Sequence, residues 1–182
     1  MKRIVIAVGL MMLLVAISST AQTPAPKPGP EHKKMEIWVG DWTFEEEDFA
    51  TPFAPAGKLS GKAVVKPILG GFFIEFRNES KGTAGPAQYL EVDSYDPLTK
   101  KYVWNGFGSD GSIHTVTYTI EGPLVSYSGT QIIGGKQAKF RGTATFSPDF
   151  MSWDEKREIS ADGKAWVPCF QSKSTKVKSS PK

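Results

Sequence analysis

The sequence predicts an all-β protein: one antiparallel up-and-down β-barrel of about ten strands, opened by a short N-terminal helix. Three observations carry this prediction. Apolar and polar residues alternate with period two along several runs, as they do in strands with one dry face and one wet face. Turn signals rich in Gly, Pro, Asp and Asn interrupt those runs at intervals too short for crossover helices. A meander this long accumulates twist and leaves two exposed edges, and closure into a barrel removes both. A seven-strand immunoglobulin-like sandwich would need longer Greek-key connections than these.

The chain opens with Lys2 and Arg3, an apolar run over residues 4–17, and the small residues Ser19 and Ala21. That order predicts a secretory signal peptide over residues 1–21, cleaved near Ala21-Gln22, and hence a secreted or periplasmic protein. The run is shorter than the roughly 20 apolar residues of a membrane-spanning helix, so no membrane span is expected. No cysteine follows it to carry a lipid anchor. About 160 residues remain, enough for one domain with a real core. Residues 22–30, QTPAPKPGP, predict an extended proline-rich tether. Pro30 suits the first position of a short helix that would run through Met35.

The barrel domain is expected over residues 31–174. Strands should begin near Trp42, Lys58, Gly71, Ala87, Lys101, Ile113, Leu124, Gln137, Phe150 and Lys164. In residues 71–80 Phe72, Ile74 and Phe76 share one face, with Glu75, Arg77 and Glu79 opposite. In residues 136–146 Ala138, Phe140, Gly142, Ala144 and Phe146 alternate with Gln137, Lys139, Arg141, Thr143 and Thr145. The turns fall at YDPLTKKY, GSDGSI, IEGPL, IGGKQ, FSPDF and SADGKAW. Residues 175–182 form a Lys/Ser tail that composition marks as disordered.

The formal net charge is +3, but its lysines concentrate at the two ends and in the tether. The body that remains is mildly acidic, which argues against a nucleic-acid partner. Cys169 is the only cysteine, so neither an internal disulfide nor a cysteine-type zinc site can form; it reads as a small buried apolar residue. No histidine pair stands at metal spacing, and there is no Gly-x-Ser-x-Gly elbow or phosphate-cradling glycine loop. Catalytic residues, metals and cofactors are therefore not assigned. His114 with Asp110 or Tyr118 offers at most a small proton-transfer site, because a histidine beside a hairpin turn is usually exposed.

A short helix followed by Gly40-x-Trp42 at the head of the first strand resembles lipocalins and other calycin barrels, in which the helix plugs one end and the tryptophan packs across it. More of the chain resembles a bacterial family known as domain of unknown function 1579. The shared pieces are GPEHKKMEIWVGDW, LGGFFIEF, YDPLTKKYVWNGF, the SDGS turn and ISADGKAW. This resemblance implies a calycin-like barrel in secreted or periplasmic proteins and carries no activity, substrate or catalytic residue. Haem-binding barrels of the nitrobindin type resemble the opening as well, but they hold iron through a histidine late in the chain. His32 and His114 do not stand there, and haem is not expected.

A barrel of this kind holds a small apolar or amphipathic molecule on its inward face. The residues expected there are Phe72, Phe76, Phe140, Trp153 and Trp104, with Ile74, Phe146 and Phe107 as further candidates. If these side chains simply fill the interior, the protein is instead an interaction or structural module; an enzyme on the same scaffold is the third reading. MSWDEKREI, residues 151–159, places Glu155 and Arg157 on the same face as Met151, Trp153 and Ile159. Buried charges need partners. Arg157 could offer its planar fork to a ligand carboxylate, pair with Glu155, or cover Trp42 as a cation on an aromatic face; a bulge could also turn both charges outward. Phe49 and Phe53, in the long first connection, are candidates for a lid or portal. Glu45, Glu47, Glu75 and Arg77 read as a solvated outer face. Oligomeric state has no signature in the sequence.

Overall fold

The structure, a computed structural model, describes residues 26–178. The expected signal peptide, residues 22–25 of the tether and the last four residues lie outside that range. Helix α1 (Pro30–Lys34) continues into a 3-10 turn (Met35–Trp38) and then into ten strands. These are β1 (Gly40–Asp48), β2 (Gly57–Ile68), β3 (Phe73–Gly82), β4 (Gly85–Asp96), β5 (Lys101–Gly108), β6 (Ile113–Glu121), β7 (Leu124–Ile133), β8 (Lys136–Phe146), β9 (Ser152–Ser160) and β10 (Val167–Lys176). Each strand pairs antiparallel with its neighbours in sequence, and β1 closes the ring on β10, from Trp42 opposite Lys176 to Asp48 opposite Phe170. The barrel therefore has no free edge to template association.

Strand direction sorts the barrel into two ends. The connections β2 to β3, β4 to β5, β6 to β7 and β8 to β9 lie at the end covered by α1. The connections β1 to β2, β3 to β4, β5 to β6, β7 to β8 and β9 to β10 form the opposite, open rim. At the covered end Trp42, 1% exposed, donates its indole N–H to the Trp38 carbonyl at 2.7 Å. Trp38, Trp42, Phe146 and Trp153 meet at ring separations of 4.2 to 6.5 Å. Tyr102 ties α1 down by donating to a Glu31 carboxylate oxygen at 2.8 Å. Gly40 has a reason to lack a side chain: a Cβ there would overlap Lys176, whose ammonium lies 4.9 Å from the Trp42 ring centre.

Several expectations need correction. Lys176, and not Arg157, is the cation over Trp42. Phe72 does not share the face of Ile74 and Phe76. It precedes β3, at the end of a turn where Leu69, Gly70 and Gly71 all have positive φ, and its ring packs against His32 of α1 at 5.2 Å. Phe107 points outward and is about half exposed. The last strand runs to Lys176, two residues past the expected boundary at 174, because Thr175 and Lys176 still pair with β1 and Val177 donates its N–H to the Asp41 carbonyl at 2.7 Å.

Candidate functional site

Between the plugged end and the open rim the barrel encloses a cavity of about 630 Å³, inside the range of roughly 300–1,000 Å³ that small-molecule sites occupy. The interior is thus not filled. Glycine is one reason. A Cβ at Gly106 would collide with the Tyr89 hydroxyl, and one at Gly142 with the Tyr127 hydroxyl, so small residues on β5 and β8 let long tyrosines cross the interior. Of the expected wall residues, Trp153, Trp104, Phe76, Glu155 and Arg157 line the cavity. Phe140 does not; it is fully buried behind Arg157, whose guanidinium lies 4.8 Å from its ring. Phe49 stands at the mouth. Phe53 instead packs against the core, in a loop stapled by Thr51, whose hydroxyl accepts the Phe53 and Ala54 N–H groups at 3.1 Å.

Glu155 and Arg157 stay inward and pair with each other. The Arg157 Nη2 donates to the Glu155 Oε1 at 3.2 Å, its Nε donates to the Tyr127 hydroxyl at 3.2 Å, and that hydroxyl donates to the same Glu155 oxygen at 2.5 Å. The guanidinium also lies 4.2 Å from the Phe170 ring centre. A bulge does occur next to this pair, but on β10 between Pro168 and Phe170, where it leaves β9 unturned. Burial opposes the Arg157 charge, yet Tyr127 and Glu155 together raise its pKa above the usual arginine value.

The sequence reading missed most of the site's acids. Glu46 and Asp48 follow Trp42 and Phe44 on the inner face of β1, and Glu91 and Asp93 occupy the inner face of β4. Tyr118 donates to Asp93 at 2.6 Å, and the Asp93 carboxyl is 2% exposed. Burial, reinforced by the Asp48 charge, pushes Glu46 up to about 8. Burial raises Asp48 as well. Glu91 is raised well above the usual carboxylate range, by burial first and then by its neighbour Asp93. Asp93 is raised to about 7, since burial outweighs the hydrogen bond it accepts from Tyr118. Glu46 and Glu91 are thus the carboxyls that burial and an adjoining acid hold toward the protonated form.

His114 departs from expectation too. It is 7% exposed, lines the cavity, and burial followed by the Arg157 charge lowers its pKa to about 4. It is a neutral imidazole at neutral pH, and its Nδ1 has no hydrogen-bond partner. Asp110 is engaged with the Ser112 backbone N–H at 2.9 Å, and Tyr118 with Asp93, so neither completes a dyad with this histidine. Among the described residues, no group of three or more His, Cys, Asp and Glu side chains is disposed to hold a metal ion, and no helix is long and apolar enough to cross a membrane. Burial raises the Cys169 thiol to about 11, away from reactive thiolate behaviour.

A plugged, closed, ten-stranded antiparallel ring with an internal cavity is a calycin-like β-barrel. The family described as "Protein of unknown function (DUF1579)" matches residues 27–160, and the chain belongs to it. No curated protein sequence matches the chain. Among solved structures, it is similar to the crystal structure of Rv2717c from M. tuberculosis, with a TM-score of 0.59 at 10% identity over 82% of this chain and 99% of that one. It is also similar to the S-type phycobiliprotein lyase CPES from Guillardia theta, with a TM-score of 0.53 at 13% identity over 84% and 100% of the two chains. At these identities the likeness is one of fold.

Proposed function

We propose that the protein is an exported binder of one small apolar or amphipathic molecule, held inside the barrel and admitted through the open rim beside Phe49. The cavity carries this reading: a space of about 630 Å³ with aromatic walls and a few convergent polar groups matches what small-molecule sites require. Trp104, Phe76 and Trp153 supply apolar surface, and the Glu155, Arg157 and Tyr127 cluster supplies orientation. Export rests on the basic, apolar and small-residue order of residues 1–21, and predicts a mature chain that begins at Gln22. The resemblance in fold to a phycobiliprotein lyase is compatible with a barrel that handles a small molecule.

One observation favours a second reading. The Tyr118, Asp93 and Glu91 network places carboxyls with raised pKa values beside a cavity, as a proton-transfer enzyme would. The test common to both is native mass spectrometry of protein purified from its exporting host, followed by organic extraction. A single small molecule per chain supports the binder; two related molecules that interconvert on incubation with the protein support the enzyme. A bare polypeptide mass, with no uptake of an uncharged fluorescent probe, contradicts both.

A further inference from the structure

We infer that the molecule held in the cavity carries a protonated amine on an apolar body, and this inference rests on the binding function proposed above. Six carboxyl groups, from Glu46, Asp48, Glu91, Asp93, Asp110 and Glu155, line a space that contains one guanidinium. Two of its five N–H groups are taken, Nε–H by Tyr127 and one Nη2–H by Glu155, and the rings of Phe170 and Phe140 lie against it. A ligand carboxylate on the remaining N–H groups would sit beside Glu155 and among the carboxyls of β1 and β4. Glu46 and Glu91 are held protonated by burial, so the negative field comes from the remaining acids; in a low-dielectric interior that field disfavours a further carboxylate and favours a cation.

Two further features fit an ammonium group. His114 lines the same cavity with an Nδ1 that no protein group satisfies. That nitrogen is one of six such atoms among the described residues, all on residues that line this cavity: Asn78 Oδ1, Asp93 Oδ1 and His114 Nδ1 can receive a ligand N–H, and the indole N–H groups of Trp38, Trp104 and Trp153 can donate. Trp104 and Tyr127 line the same space, where Arg157 already lies 6.0 and 5.4 Å from their ring centres, and aromatic rings attract desolvated cations. The cavity is too large and its acids too dispersed for a bare metal ion, as the absence of a three-ligand group among the described residues also indicates. A nitrogen cation with an apolar tail uses the whole space: its head meets the acids and His114, and its tail runs along Trp153 and Phe76 toward the plug.

The test is displacement of bound N-phenylnaphthylamine, an uncharged fluorescent probe, by three molecules with one tail and different heads: dodecylamine, dodecanol and dodecanoate, below their micellar concentrations at neutral pH. The inference predicts that dodecylamine binds at least about tenfold more tightly than either of the others. In an Asp48→Asn, Asp93→Asn double variant, which removes from each pair the carboxyl that ionises more readily, that preference should fall to about twofold, while dodecanol still displaces the probe. Tightest binding by dodecanoate overturns the inference and leaves the binding function standing. An ammonium preference that survives in the double variant overturns it too, because the acids would not be its source. If the wild-type barrel takes up neither the probe nor any of the three, the binding function fails along with it.

Discussion

At the plugged end, rings from the 3-10 turn, β1, β8 and β9 pack edge to face, and the Trp42 indole N–H finds a carbonyl. Half a strand further along β1 and β9, and on the inner face of β4, stand Glu46, Glu155 and Glu91, and packing gives way to open space. Both regions are shielded by one ring of strands, so the scaffold alone does not explain the contrast. The plug holds the barrel together. The middle forgoes packing and buries acids at a cost in stability, which is the usual mark of a site kept for binding or chemistry.

This contrast can be broken at either end. Trp42→Ala should have the largest effect, a loss of about 3–5 kcal/mol in urea unfolding, since it opens a void among four rings. Arg157→Ala comes next, at about 3 kcal/mol, because it strands Glu155 in a buried position; the Arg157→Met, Glu155→Gln double variant should recover most of that loss. The middle should also respond to pH. From about pH 4.5 upward, until about 8 for Glu46 and about 7 for Asp93, the unfolded chain has already lost protons that these two groups still hold in the fold. Unfolding midpoints should therefore fall as pH rises through that window. His114 opposes part of this: its folded pKa is lowered, so the unfolded state takes up a proton first and its contribution to stability falls as pH drops from 6.5 toward 4.

Finer changes sharpen the comparison. Glu46→Gln should flatten the decline with rising pH while changing stability at pH 4 by no more than about 0.5 kcal/mol. Phe72→Ala should cost about 1 kcal/mol and leave probe binding unchanged, because Phe72 touches α1 and not the cavity.

The ten strands were legible because alternation and turn chemistry agree along the whole chain; predicted and observed strand starts differ by three residues at most, as at Lys164 against Val167. Glu155 and Arg157 were legible as an anomaly, charges on an apolar face. The acids of β4 were not. There Leu90 and Val92 point outward while Glu91 and Asp93 point in, so the apolar residues mark the wrong face. Only pairing reveals it, Glu91 lying opposite the inward Phe76 and Gly106. In β1, Glu46 and Asp48 share the parity of Trp42 and Phe44, but a run of four acids reads as a solvated face. His114 shares the parity of Val116 and Tyr118, and its neighbouring hairpin turn hid that too. Alternation shows which face is buried only where the buried face is apolar, so a polar interior escapes it.

The central claim is that the barrel holds an open, enterable interior. Titration with N-phenylnaphthylamine of the wild type and of Ser80→Trp, which places a large ring within the cavity wall near the rim, tests it most directly. Saturable one-to-one uptake by the wild type, lost in a Ser80→Trp variant whose thermal unfolding is unchanged, is the predicted result. Absence of uptake by the wild type, or equal uptake by both proteins, would contradict it.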